Sequence, residues 1–307
     1  MPIDYFHIND NSLKNQTFYF AGTNGWQTWI KPPNCKWVNF YLVGGGAGGQ
    51  GGNIGASSTR SGGNGGGSAA FSYITVPGFT LPDILYLLVA SGGTGGASAG
   101  GQGGVGGLSY VCALPDITSP YNILIKSGTL GAGTTTSITA GSSIVASDIL
   151  LSQIAFISAY PGRIGGAGGS SSTAAPAVTS SGIPFTSGSG GAGCSSVGTL
   201  GTSGNITGIL DFPTILGGTN TAVAGATAGK GNGGYSTRNN FVGPHFKTPM
   251  YFTGGSGGGA ASNVTGIGGA GGDGSFGCGG GGGGAGGNTT AGIGGKGGNG
   301  FIMITVS

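Results

Sequence analysis

Two histidines, His7 and His245, are the side chains best suited to acid and base catalysis near neutral pH, and neither lies beside an acidic residue in the chain. An imidazole base needs an orienting partner and a nucleophile within hydrogen-bonding reach. All seven acidic residues are Asp, and they are isolated from one another, whereas a glycosidase needs a pair of carboxylates. We therefore expect no enzymatic activity, and a surface glycosidase is the enzyme class kept as a remote alternative.

Three short motifs resemble sites but lack the context that those sites require. Gly96 to Gly100 reads GASAG and fits the GxSxG nucleophile pattern, yet it lies within a glycine tract, with no strand directly before it and no helix after it. The AGATAGKG stretch around Lys230 lacks the first glycine and the final Ser or Thr of a phosphate loop. Asp273 lies in a single approximate copy of a calcium-binding nonapeptide, so we expect no metal and no cofactor.

The four cysteines are far apart and form no CxxC pair, which argues against zinc and against an obligatory disulfide framework. We expect buried, reduced thiols. The ten basic residues are scattered from Lys14 to Lys296, so no patch suited to nucleic acid is expected. No signal peptide is visible, and the apolar runs Leu81 to Ala90 and Ile144 to Tyr160 each carry an Asp and are shorter than a bilayer requires. The chain should be soluble or assembled, without membrane insertion.

The composition predicts a mainly β fold. Glycine supplies 78 of 307 residues, charged residues are only 6%, and Glu is absent, so little material remains for amphipathic helices. Disorder usually accompanies low hydrophobicity, but 37% of the residues here are hydrophobic. We expect a packed, glycine-rich, sandwich-like domain with stacked polyglycine II-type helices, long loops and little α-helix.

Strand-like segments run directly into glycine tracts. The first such junction follows Val43, the second follows Ala90, and the last tract leads into the strand that begins at Phe301. The predicted strands are Thr17 to Phe20, Trp26 to Ile30, Lys36 to Val43, Ala69 to Val76, Leu81 to Ala90, Leu108 to Ala113, Tyr121 to Lys126 and Phe301 to Val306. Ile144 to Tyr160 is long enough for a helix, and two strands fit it equally well.

The glycine tracts, such as GGAGGQGG and GGKGGNG, place a side chain at every third position. An extended helix of the polyproline type has about 3 residues per turn and no internal hydrogen bonds, so this rhythm puts side chains on one edge and leaves bare backbone on the other two. Bare edges allow neighbouring segments to approach and bond to one another. Stacked polyglycine helices are therefore preferred to a collagen-like triple helix, with flexible linkers as the alternative.

The chain divides into a polar segment, residues 1–16, and a glycine-rich domain, residues 17–307, with a loop-rich insertion around 121–253. The first segment is an attachment arm or a frayed terminus, and long loops are expected over 161–232. Aromatic and basic residues are interleaved from Asn232 to Phe252, which is a composition typical of recognition surfaces and also of a small core or a subunit interface. The receptor-binding candidates in this stretch are Tyr235, Arg238, Phe241, His245, Phe246, Lys247 and Tyr251.

The order VGGGAGGQGG, AAFSYITVPGFTL, LVASGGTGG and GGKGGNGFIMITVS, spread over residues 17–307, resembles the glycine-rich domain of phage tail fibres and receptor-binding proteins. Related domains occur in structural proteins of large DNA viruses. The resemblance implies an adhesin like those of T-even-type phages, in which glycine helices stack into a sandwich and loops at its tip contact the host. This chain shows no amino-terminal shaft, which would make it a separate tip, decoration or fibre subunit.

The expected function is therefore that of a non-enzymatic virion surface protein that attaches to a host cell. Its expected partners are other virion proteins, copies of itself in a homo-oligomer for which a trimer is one arrangement, and a host surface receptor or glycan. An architectural capsid or filament protein without a receptor is the alternative.

Overall fold

The computed structural model describes residues 16–21, 23, 25–55, 60–128, 132–133, 138–139, 150, 154–170, 173–179, 185–207, 214–223, 226–233, 252–262, 265–287 and 290–307. Its strands are β1 (Gln16–Phe20), β2 (Trp26–Ile30), β3 (Trp37–Val43), β4 (Phe71–Pro77), β5 (Ile84–Leu88), β6 (Tyr110–Cys112), β7 (Ile123–Lys126), β8 (Ala132–Gly133), β9 (Ile138–Thr139), β10 (Phe156–Tyr160), β11 (Val178–Thr179), β12 (Ile206–Thr207) and β13 (Phe301–Val306). The helices in these residues are two 3₁₀ turns, Gly78–Thr80 and Pro120–Asn122. The mainly β expectation is confirmed.

Two antiparallel sheets form a sandwich. One has the strand order β1-β13-β3-β4-β10, and the other has the order β2-β5-β6-β7. Alternate residues of β3 and β13 point between the sheets, because successive side chains of a strand face opposite sides. Trp29 of β2 is fully enclosed there and meets Phe18 and Phe40 edge to face, at centroid distances of 5.9 and 6.3 Å. This apolar layer is the conventional hydrophobic core of the molecule.

The other face of the five-stranded sheet carries a second aromatic cluster. Tyr41, Phe71 and Phe301 of the sheet pack with Phe185 and Phe252, which reach it from distant parts of the chain. The rings of Phe185 and Phe252 are stacked at 5.1 Å and 11°. The cluster lies at the end of the sheet where the strands give way to glycine.

Beyond that end, the strands continue as extended glycine segments, which together we name the glycine body. In segment 44–53, successive backbone N–H groups donate to three different neighbours in turn. Residues 45, 48 and 51 donate to segment 101–107, residues 46, 49 and 52 to segment 292–298, and residues 47, 50 and 53 to segment 61–67, all at 2.8–3.0 Å. This three-residue alternation is the pattern expected for stacked helices of the polyproline type, because each turn contains three residues.

Segment 277–287 lies at the centre of the glycine body and is bonded on all sides. Its N–H groups donate to segments 47–53, 189–192 and 266–272, and its carbonyl groups accept from segments 63–66, 255–261 and 292–298, which makes six neighbours. A methyl group added to any glycine from Gly279 to Gly284 would clash with a carbonyl group of one of these neighbours. The run of six consecutive glycines therefore occurs where the backbone is surrounded most completely.

Segments at the surface of the body keep the predicted rhythm. Ser91, Thr94 and Ala97 are exposed while Gly93 and Gly96 are buried. On another segment, Ile293, Lys296 and Asn299 are exposed at the same spacing. A side chain at every third position therefore faces solvent, and the bare edges, which the sequence predicted, face neighbouring backbone.

The region from 121 to 253 is less loop-like than its composition suggested. Within the described parts of 161–232, segments 165–169, 186–193, 201–205, 215–220 and 226–233 bond into the glycine body. Serine replaces glycine where a hydroxyl can bond a neighbouring carbonyl, as Ser189 does with Gly204 at 2.7 Å. In the stretch expected to be a helix or two strands, Phe156–Tyr160 is strand β10, whereas 144–149 and 151–153 lie outside the described residues.

Candidate functional site

The predicted receptor-binding residues Tyr235, Arg238, Phe241, His245, Phe246, Lys247 and Tyr251 lie outside the described residues, as do residues 1–15. The flanks of that segment are described. Asn232 accepts a backbone hydrogen bond from Ser256, and Phe252 packs in the aromatic cluster. The segment 234–251 therefore leaves and rejoins the described structure on the sandwich side of the glycine body.

The opposite end of the body, which we name the distal end, gathers the chain reversals that join the glycine segments. The hydrogen-bond registers place there the described residues of seven connections, namely 53–55 with 60–61, 96–101, 169–170 with 173–175, 193–201, 220–223 with 226, 261–262 with 265–267, and 286–287 with 290–292. Segment 44–53 spans the body from the sandwich to this end, and ten residues at about 3.1 Å each give a length of about 30 Å. Loops from distant parts of the sequence thus form one surface.

That surface is uncharged. Its exposed described residues are small, hydroxyl-bearing or aliphatic, namely Ile54, Ala97, Ala99, Ser170, Thr173, Ala174, Ser196, Val197, Thr199, Ala222, Val223 and Thr265. Val197 is 86% exposed and Val223 is 65% exposed. The first lies in a tight turn in which Gly198 has a φ of +83° and the Thr199 N–H donates to Ser195 Oγ at 2.9 Å. The surface offers hydroxyl groups and methyl groups, and it suits a neutral ligand better than an ionic one.

Arg60 is the one charged residue among the described residues of the distal end, and only 2% of its surface is exposed. Its guanidinium donates to the carbonyl of Gly286 at 2.7 Å, to Cys194 Sγ at 3.0 Å and to the carbonyl of Ser262 at 3.3 Å. The Arg60 and Cys194 backbones also exchange two hydrogen bonds of 2.8 Å. The planar guanidinium group of Arg60 therefore fixes the connection that contains Arg60 relative to the three that contain Cys194, Ser262 and Gly286.

Charged side chains lie mainly toward the sandwich. At its far end, Lys31 Nζ lies 3.3 Å from Asp83 Oδ1 and donates to the carbonyls of Gly78 and Leu81. Asp116 accepts hydrogen bonds from the hydroxyl and N–H groups of Thr118, and these bonds lower the pKa of its carboxyl group. The described molecule is thus polar and charged at one end and neutral at the other.

The described structure brings together no group of residues with the chemistry of a catalytic site. Burial raises the pKa of Cys278 to about 12 and that of Cys112 to about 11, so both thiols are protonated at neutral pH and are poor nucleophiles. All four cysteines are free, and all but Cys35 are buried, as expected. No group of three or more His, Cys, Asp or Glu suited to a metal occurs among the described residues, and His7 and His245 lie outside them.

The motif matches have structural explanations. The GASAG stretch is a chain reversal in which Ala99 and Gly100 both have positive φ, of 65° and 78°. Asp273 Oδ1 accepts the backbone N–H of Lys296 at 2.8 Å and so links two glycine segments. Neither match forms the strand-turn-helix or the repeated loop that its chemistry requires.

A comparison with protein-family models found no match to this chain, and a search of curated proteins found none either. In the described part of the chain, no helix has the length and apolar character needed to cross a bilayer.

Sequence reasoning did not identify Arg60 or the distal end as a unit. The one sequence feature that distinguishes Arg60 is that it is a lone charge between two glycine tracts, which is weak evidence for a structural role. The loops of the distal end are separated by tens of residues, and only the pairing of the glycine segments shows that they converge.

Proposed function

We propose that this protein is a non-enzymatic attachment protein of a virion surface and that the distal end contacts the host receptor. The observation that carries the proposal is the convergence of loops from seven parts of the chain on one uncharged surface, about 30 Å from the sandwich. Loops held on a rigid scaffold are where binding residues usually lie. The resemblance to phage receptor-binding domains supports the same assignment.

The scaffold suits this role because its backbone is bonded in three dimensions. Each interior glycine segment is held by several others, so a force on one loop is distributed over the body. The guanidinium group of Arg60 holds four of the connections in fixed positions. A surface fixed in this way loses little conformational entropy on binding. The ligand that fits it is a neutral glycan or an uncharged protein surface.

The segment 232–252 stays a second candidate contact surface within the same function. Its aromatic and basic residues have the composition of a recognition site. Its described flanks, Asn232 and Phe252, lie toward the sandwich.

An architectural role without a receptor is the alternative function. The observation that favours it is the exposed aromatic set on the five-stranded sheet, where Phe156 is 71% exposed and Tyr160 is 45% exposed. Patches of this kind commonly mark protein contacts.

The test is the binding of purified, fluorescently labelled protein to a panel of bacterial and protist cells and to a glycan array. One variant, Val197→Arg with Val223→Arg, alters the distal end, and a second variant replaces Tyr235, Arg238 and Phe246 by Ala. Phe79→Arg is the control, since Phe79 is 87% exposed near the far end of the sandwich.

We expect loss of binding in the first variant alone. Loss in the second variant alone would move the contact surface to 232–252. If the wild-type protein binds no cell and no glycan but occupies regular positions on a particle, the architectural function replaces the proposal.

A further inference from the structure

Strand β10 (Phe156–Tyr160) is an exposed edge of the five-stranded sheet. Its register with β4 is continuous over all five residues, and it contains no charge, no proline and no bulge. Natural edges are usually protected by one of these features, because an unprotected edge pairs with other strands. Phe156, Ser158 and Tyr160 are exposed on the outer face. Trp37, on the same face, contacts Phe156 at a centroid distance of 6.4 Å.

The other sheet edges differ from β10. In the four-stranded sheet, β7 ends in the charged Lys126 and has a register irregularity against β6. Strand β2 is followed directly by the charged Lys31, whereas β10 is followed by the uncharged Pro161 and Gly162. At the opposite edge of the five-stranded sheet, β1 has no fully exposed residue. Among the described edges of the two larger sheets, β10 therefore combines exposed side chains with a strand that contains no charge, no proline and no bulge.

The pairing of β4 defines which backbone groups of β10 point outward. The N–H of Gly44 donates to the carbonyl of Ala70, which places even-numbered residues of β4 in hydrogen-bonded pairs with β3. Odd-numbered residues of β4 therefore bond to β10, because the two sides of an antiparallel strand alternate. Their partners are Phe156, Ser158 and Tyr160. The N–H and C=O groups of Ile157 and Ala159 are left pointing away from the sheet, and no described residue bonds to them.

We infer that β10 pairs with β10 of a second copy of this chain, antiparallel, about a two-fold axis at Ser158. In this register Ile157 faces Ala159 of the other copy, and the outward N–H and C=O groups of both residues are satisfied on each side. The two Ser158 residues face each other in a pair without direct hydrogen bonds, where side chains are closest. An interface with two-fold symmetry uses the same surface of both copies, so that surface must be complementary to itself. Strand β10 meets this requirement in the register described.

The side chains of the outer face fit the same register. Phe156 of one copy lies opposite Tyr160 of the other, and this aromatic contact occurs twice. Cross-strand aromatic pairs stabilise a sheet. The two five-stranded sheets become one continuous sheet of ten strands, and the distal ends of both copies stay free of the contact. The partner is thus a second copy of this chain, and the assembly is a dimer with two-fold symmetry.

Charge variants at Ser158 test the axis directly. Sedimentation of the wild-type protein over a range of concentrations should show a species of twice the 29.2 kDa chain mass. Ser158→Lys and Ser158→Glu should each sediment as monomers, because like charges face each other across the axis. Mixing the two variants in equal amounts should restore the dimer, because opposite charges then meet. Ser91→Lys and Ser91→Glu, changed at an exposed residue of the glycine body, should dimerise like the wild type.

A backbone variant gives a second test. The N–H of Ala159 points away from β4, so Ala159→Pro removes an outward donor without removing a bond of the sheet. We expect a monomer with an unchanged circular dichroism spectrum. The inference is overturned by a wild-type protein that stays monomeric or forms trimers. It is also overturned if the separate Ser158 charge variants dimerise, or if their mixture remains monomeric.

Discussion

The hydroxyl of Ser109 donates to the carbonyl of Val43 at 2.7 Å, at the level where the β-sandwich becomes the glycine body. The same oxygen accepts the N–H of Ala90 at 3.1 Å, so one side chain joins the end of β3 to the segment that follows β5. Two sheets pack about 10 Å apart, whereas bare glycine segments bond to one another directly. Ser109 is fully buried. It lies where the distance between the two layers decreases from that of packed sheets to that of hydrogen-bonded glycine segments.

Replacing Ser109 by Ala should lower the free energy of unfolding by about 1–3 kcal/mol, because it leaves the Ala90 N–H and the Val43 carbonyl without this partner. Ser72→Ala is the matched control, since the Ser72 hydroxyl is also buried but has no hydrogen-bond partner in the structure. Its removal should be neutral or stabilising. Urea denaturation of both variants measures the difference, and equal effects would contradict the role assigned to Ser109.

A methyl group added at Gly283 should destabilise the protein by at least about 2 kcal/mol, because it would clash with the carbonyl of Gly292 in an interior that has no room to relax. At Gly233 the nearest atom to an added methyl is the Asp273 carbonyl oxygen, at 3.7 Å. Gly233→Ala should therefore be neutral, or stabilising by up to about 1 kcal/mol. Thermal unfolding of the two variants compares them, and similar melting temperatures would show that the glycine body is not close-packed.

Alkaline pH should destabilise the folded state. Burial raises the pKa of Cys278 from 9.0 to about 12 and that of Tyr19 from 10.0 to about 12. Between about pH 9 and pH 12 the unfolded chain loses protons that the folded chain keeps, so the free energy of unfolding falls as the pH rises. The stabilisation is complete below that range. Urea midpoints measured from pH 8 upward should fall, and Cys278→Ala should show a shallower fall than the wild type.

Loss of the Arg60 side chain should loosen the distal end before the sandwich. Arg60→Ala leaves the carbonyls of Gly286 and Ser262 without their charged donor, and each such bond is worth about 1.5–3 kcal/mol. Hydrogen exchange at the amides of Cys194 and Ala261 should accelerate at least about tenfold, while the amides of β3 and β13 should keep their protection. Uniform acceleration across the molecule would mean that the distal end does not open separately.

The strands and the glycine segments between them were predictable to different degrees. Strands such as Trp37–Val43 and Phe301–Val306 carry β-branched and aromatic residues and end abruptly at glycine, so their positions follow from local composition. The three-residue rhythm likewise predicted that side chains would lie on one edge of a segment and bare backbone on the other two. The rhythm contains no information about which segments become neighbours. Segment 44–53 bonds to segments 61–67, 101–107 and 292–298, and all of these are rich in glycine.

The least predictable region was 161–232, where serine, threonine and alanine suggested loops. Ser189 shows the reason. Its hydroxyl is a short group that bonds the Gly204 carbonyl and occupies little more space than a glycine would need. Composition alone does not distinguish a serine that faces solvent from one that replaces glycine inside the body. The aromatic stretch 232–252 stays a prediction, since its candidate residues lie outside the described residues.

Six neighbours around segment 277–287 also constrain how a gene for such a protein can change. Almost any missense mutation in the codons for Gly279 to Gly284 adds atoms where six backbones already meet, and selection should remove it. Mutations in the codons for exposed side chains of the distal turns, such as Val197 and Val223, meet no such barrier. Proteins with this architecture can therefore change the sequence of the distal end rapidly while the sequence of the glycine body is conserved. Recombination can also exchange distal turns between relatives without altering the glycine body that supports them.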